Sequence, residues 1–187
     1  MSVVGDLVET YRRQVELPWA ASLSPAERVW IAVYPPEQER RLRAHLPQLA
    51  LHTTAAERSW RTVDITDAFG RWIASHEYRD TFFESPEYLT SSVLEGFESA
   101  VQQQIRDALT APEVDERTVV CVIGAGALFP FARASRVIEA VDSATRGRLL
   151  VLFPGRHDSA RSSYRLLDAR DGWNYRAVPI TVPGETP

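Results

Sequence analysis

Residues Thr118–Val141 read TVVCVIGAGALFPFARASRVIEAV. A β-branched apolar run meets a glycine turn, and the turn feeds an amphipathic helix. This is the build of a crossover in an α/β protein, where backbone N–H groups at a helix start can hold an anion. The chemistry of an active phosphate loop is missing. Such a loop needs a lysine to reach the β- and γ-phosphates, and all 21 basic residues of this chain are arginine. Gly124 and Gly126 imitate the start of a dinucleotide fingerprint, but Phe129 stands at its third glycine position. Leu128-Phe129-Pro130 would crowd the approach of a pyrophosphate. The turn therefore reads first as a tight strand-to-helix connection that permits positive φ, with Gly124 and Gly126 kept as candidate ligand contacts.

Outward from this unit, strands and helices alternate. Val4, Leu7, Val8, Tyr11 and Val15 recur at helical spacing, which predicts a helix over residues 2–16 within an N-terminal helical segment 1–20. Ser24-Pro25-Ala26-Glu27 has the order of a capped helix start. Val29–Tyr34 reads as a buried strand closed by Pro35-Pro36, and Glu37–Leu46 as a charged helix ending near Pro47. A second strand is expected at Trp60–Ile65, with Thr66 capping a helix that carries Phe69, Trp72 and Ile73. His76–Ser85 reads as irregular. Ser85-Pro86 is expected to start the longest helix, with Leu94, Phe97, Val101, Ile105 and Ala108 on one face.

Pro130 suits the first turn of the helix after the glycine turn. A fourth strand, Arg148–Phe153, should stop at Pro154-Gly155. Tyr164–Asp168 and Trp173–Ile180 flank Ala169-Arg170-Asp171-Gly172, whose Asp-Gly pair signals a hairpin. The pattern predicts one α/β domain over residues 1–187. Its sheet should be mainly parallel within three layers, P-loop- or Rossmann-like but without a functional phosphate loop. A C-terminal antiparallel hairpin, residues 160–182, should pack on the same sheet.

Ligands of open parallel sheets collect beyond the carboxyl ends of the strands. Those ends supply Asp64, Thr66, Gly124, Gly126 and Gly155 as candidate contacts. Asp64 and Asp67 straddle a strand end where a carboxylate could hold magnesium, a role that loses its purpose without a phosphate loop. His157-Asp158 lies near Ser159, Ser162 and Ser163, yet no G-x-S-x-G elbow occurs. Histidines 45, 52, 76 and 157 lack ligand spacing. No catalytic residue, metal ligand or cofactor is assigned. Arg133 and Arg136, three apart on one helix edge, and Trp173 and Tyr175, at strand spacing on the hairpin, are the candidates for docking a partner.

The net charge of −4 disfavours a dedicated nucleic-acid binder. The charge is uneven: residues 1–132 carry −7 and residues 133–187 carry +3. No apolar run approaches the roughly 20 residues of a membrane span, and the N-terminus lacks the basic and apolar regions of a signal peptide. The single cysteine, Cys121, sits in an apolar run, so no disulfide framework is available. A cytoplasmic location is expected.

Several blocks, in order, resemble the BrxB family of BREX bacteriophage-defence systems. They are Arg28–Tyr34 with Pro35-Pro36-Glu37, Asp64-Ile65-Thr66-Asp67-Ala68-Phe69, Gly124–Pro130, Leu150–Gly155 and Asn174–Ile180. The G-x-G-x-L-F-P turn and the F-P-G strand end are the most specific pair. After that strand end the chain continues Arg156-His157, where relatives are expected to be acidic. The resemblance implies a cytoplasmic multi-protein defence module working beside a large ATPase, a DNA methyltransferase and a PglZ-type protein of the alkaline-phosphatase superfamily. It carries over no catalytic residues. The expected function is a non-catalytic adaptor that binds other BREX proteins, such as the PglZ-type protein. The alternatives are a nucleotide-binding or NTPase-like domain using the Gly124–Phe129 turn, and a nucleic-acid-binding accessory protein using the basic C-terminal part.

Overall fold

A computed structural model describes residues 2–169 and 172–182. Four parallel strands form its centre: β1 (Val29–Tyr34), β2 (Ser59–Asp64), β3 (Thr118–Ile123) and the long β4 (Arg148–Asp158). Short strands β5 (Ser163–Leu166), β6 (Trp173–Asn174) and β7 (Val178–Ile180) follow. The order across the seven-stranded sheet is β2-β3-β4-β1-β7, with β5 pairing β4 and β6 pairing β5. The core strands and β7 run parallel, and the β4–β5–β6 ladder is antiparallel.

Every residue of β1 and β3 is buried, as expected of strands covered on both faces. Successive side chains enter opposite layers. Trp30, Ala32, Tyr34, Cys121, Leu150 and Leu152 pack beneath α1 (Val3–Glu16), α2 (Glu39–Ala44) and α3 (Leu46–Ala55). Ile31, Val33, Val120, Val122, Val151 and Phe153 pack on the other face. That face is covered by α4 (Ala68–Ser75), α6 (Ser91–Leu109) and α7 (Ala134–Val141), with α5 (Arg79–Glu84) between α4 and α6 in sequence. The result is an α/β protein with a mixed sheet, parallel at the core and antiparallel at one side.

Several local expectations change. Pro47 does not end a helix: it sits in the first turn of α3, where its missing N–H costs nothing. His76–Ser85 is partly helical, as α5. Pro86 begins only a 3₁₀ turn, and the longest helix starts at Ser91 behind Thr90, whose hydroxyl accepts from the Val93 amide. Pro130 follows a cis peptide in the loop ahead of α7 rather than standing in that helix.

Pro154-Gly155 does not stop β4. The strand runs on, and its second half leaves the parallel sheet to pair with β5. A Cβ on Gly155 would lie 2.0 Å from the Arg165 carbonyl oxygen, so glycine is what allows this close pairing. The expected terminal strand Trp173–Ile180 is broken in two. β6 completes the antiparallel ladder, and β7 crosses to lie parallel beside β1. Arg170 and Asp171 of the expected hairpin turn lie outside the described residues.

Candidate functional site

The connection leaving β1 passes to one face of the sheet, and those leaving β2 and β3 pass to the other. Such a switch opens a crevice at the carboxyl ends of the strands. Here a side-chain network bridges the strand ends. Tyr34, buried at the end of β1, donates its hydroxyl to Glu39 Oε2. Arg43 Nε donates to Glu39 Oε1 at 2.7 Å, and its Nη2 donates to Thr66 Oγ1 at 2.6 Å. Arg43 Nη1 also lies 3.6 Å from Asp64 Oδ2. Thr66 in turn donates both its amide and its hydroxyl to Asp64 Oδ1.

Thr66 was expected to cap α4, but Asp67 holds the N-cap position, and neither side chain makes a capping bond. Gly124 completes the arrangement. Its φ of 85° is left-handed, and a Cβ there would meet Thr66 Oγ1 at 2.4 Å. Gly126 backs onto Pro154, whose Cγ would lie 3.3 Å from an added Cβ. The structure thus brings Asp64, Thr66 and Gly124 together, while Gly155 belongs to the β4–β5 ladder. Sequence reasoning missed Glu39 and Arg43. Their only signal was an acid and a base four apart in the helix after β1.

Electrostatics follow from this geometry. Burial and the adjoining Glu39 carboxylate push the Tyr34 hydroxyl well above the usual phenol range. Burial alone would raise Asp64, but the Thr66 hydrogen bonds and the Arg43 charge outweigh it and hold the carboxyl below its ordinary range. A depressed folded pKa means that ionised Asp64 contributes stability above the unfolded value, about 3.9. That stability is lost as the pH falls through the folded value. Asp64→Asn is therefore expected to show a smaller drop in urea midpoint between neutral pH and pH about 3 than the parent chain. Equal drops would refute the assignment.

Beside this network lies an open groove of about 820 Å³. Its walls are α6, the loop from Phe129 into α7, and the β5–β6 hairpin. Arg133 and Arg136 stand on one rim. Glu98, only 9% exposed, faces them: it accepts from the Arg133 amide at 3.5 Å, and its Oε1 is 3.5 Å from Arg136 Nε. Trp173 and Tyr175 stack at 4.5 Å with their planes 19° apart. The Trp173 indole donates to Glu139 and the Tyr175 hydroxyl to Asp142, each at 2.7 Å. These bonds tie the hairpin to α7 and to the turn that follows it. Half-exposed Phe129 supplies an apolar edge to the groove. Among the described residues no group of three or more His, Cys, Asp or Glu side chains is placed to hold a metal ion.

The class is then an α/β protein whose strand ends are bridged by its own side chains, with a mixed-charge groove beside them. A family model described as BREX protein BrxB matches residues 62–180, and the chain belongs to that family. The match takes in Asp64, Thr66, the glycine turn, the groove and the hairpin, and begins after Tyr34, Glu39 and Arg43. No curated protein and no solved structure matches the chain. Family membership makes it a component of BREX phage-defence systems. No helix among the described residues is long and apolar enough to cross a membrane.

Proposed function

We propose that this chain is a non-catalytic adaptor that holds other BREX proteins together through the groove between α6, the Phe129–Arg136 segment and the β5–β6 hairpin. One observation carries the reading. At the strand ends, where a sheet of this kind would take a nucleotide, the Tyr34–Glu39–Arg43–Thr66–Asp64 network engages the polar side chains with one another. The adjacent groove remains open and presents exposed Arg133 and Arg136 beside Phe129 and Trp173. Arginine and aromatic side chains dominate the energetic centres of protein interfaces. The PglZ-type protein is the partner this reading favours, acting within the cytoplasm.

Co-purification with the PglZ-type protein of the same BREX system is the direct test. The pair is expected to survive size-exclusion chromatography at low salt. Charge reversal at both Arg133→Glu and Arg136→Glu is expected to weaken it at least roughly tenfold. No association at low salt, or association indifferent to both reversals, would sink the proposal.

The doubly wound layers also support the sheet as a P-loop- or Rossmann-like scaffold that has lost its phosphate loop. This reading predicts no thermal stabilisation by ATP, GTP or dinucleotides. A bound ligand at 100 times its Kd would add about 2.7 kcal/mol, so a positive result would be plain.

A further inference from the structure

The opposite edge of the sheet, at the amino ends of the strands, carries a second cluster. Arg28 directly precedes β1, Arg58 directly precedes β2, and Arg148 opens β4. Trp19 lies among them. The guanidinium carbons of Arg58 and Arg148 are each 4.4 Å from the centre of the Trp19 ring, and that of Arg148 is 5.8 Å from Trp30. The Arg58 and Arg148 cations are therefore no further apart than twice the shorter distance.

Cations buried as Arg148 is are ordinarily paired with carboxylates. Among the described residues none of the three forms a salt bridge. Arg148 is only 5% exposed, and among the described residues its side chain makes one hydrogen bond, to the carbonyl of neighbouring Gly147. Among the described residues the Arg28 side chain reaches only backbone carbonyls, those of Thr145, Arg146 and Ala21. Three buried polar atoms here have no partner among the described residues: Trp19 Nε1, Arg58 Nε and Thr145 Oγ1. The first two can only donate, and the hydroxyl can also donate. Burial together with the charges of Arg28 and Arg58 pulls the Arg148 pKa down to about 10, with no carboxylate acting against it.

Cation–π contact with the indole accounts for the placing of two guanidinium groups, but it leaves the N–H groups and the charge unanswered. We propose that Trp19, Arg28, Arg58, Thr145 and Arg148 form a binding site for a phosphate group, free or as a phosphate monoester. Guanidinium forks match the oxygens of a tetrahedral oxyanion, and the indole and hydroxyl supply the remaining donors. The half-buried Arg28 and Arg58 leave one side of the cluster open to solvent. The site is independent of the groove, because it sits at the other end of the strands.

The test is a thermal melt of the full chain in millimolar inorganic phosphate, compared with sodium chloride at equal ionic strength. A second arm uses adenosine 5′-monophosphate with adenosine as its blank. Phosphate, the monoester or both are expected to raise the melting temperature by several degrees, and the two arms distinguish the source of the group. Arg58→Gln should abolish the rise and weaken calorimetrically measured binding at least roughly tenfold. Should Arg58→Gln fold poorly by circular dichroism, Trp19→Phe keeps the stack, removes the indole donor, and should weaken binding. No rise in either arm, or an equal rise in parent and folded variants, would overturn the site and leave only a general salt effect.

Discussion

Replacing Gly124 with alanine is expected to cost roughly 2–5 kcal/mol of folding stability. Two causes add. The φ of 85° is disfavoured for any residue with a Cβ. The new methyl would also sit 2.7 Å from the Thr66 amide nitrogen and 2.9 Å from its Cα, backbone atoms that cannot rotate aside. Gly126→Ala is the matched control. Its φ is not among the positive ones, and its nearest obstacle is a proline ring carbon at 3.3 Å, so a loss of about 1 kcal/mol or less is expected. Urea unfolding of the two variants beside the parent measures the difference. Equal losses would show that Gly124 is not the strained position. The variant also probes the strand-end network, because moving Thr66 detaches it from Arg43 and Asp64.

Phe97→Ala is expected to be the most damaging single core truncation here, at about 3–5 kcal/mol. Phe97 is fully buried on α6 and sits among three rings: Phe69 edge-on at 5.2 Å, Trp72 at 5.7 Å and Phe131 edge-on at 6.4 Å. Phe69 and Phe131 also stack on one another at 3.7 Å. Truncation leaves a cavity at the point where α4, α6 and the loop before α7 meet. The melting temperature should fall by roughly 6–20 °C, at about 2–4 °C per kcal/mol for a chain of this size. Phe83→Ala, at a ring 63% exposed on α5, should change stability by no more than about 0.5 kcal/mol. Comparable losses at both positions would refute the packing account. Because Phe131 lines the groove, proteolysis between Phe129 and Arg133 should also speed up in Phe97→Ala.

What was legible in the sequence, and what was not, divides along physical lines. β1 and β3 stood out because continuous β-branched runs have few alternatives to a strand covered on both faces. Gly124 stood out because a glycine directly after such a run marks a conformation closed to other residues. Prolines were ambiguous. Pro47 starts a helix and Pro154 lies within a strand, since the ring forbids an N–H bond without dictating which neighbour lacks one.

The strand-end network was harder still. Arg43 and Thr66 are 23 residues apart and meet only because of the order in which the strands are laid down. The arginine cluster of the opposite edge was invisible for the same reason. Its members come from the segments that lead into β1, β2 and β4 and from the first residue of β4, which no local pattern connects.

That strand order has a consequence for how the chain is made. β1 lies between β4 and β7, and its first register partner, Leu149 for Val29, is 120 residues further along. At synthesis rates of about 5–20 residues per second, Val29–Tyr34 waits roughly 6–24 s for a neighbour. Until then one of the most apolar segments of the protein has both hydrogen-bonding edges open, sheltered only by the helices already made. Nascent chains arrested before Arg148 should therefore bind chaperones and aggregate, while those extended past Ile180 should not.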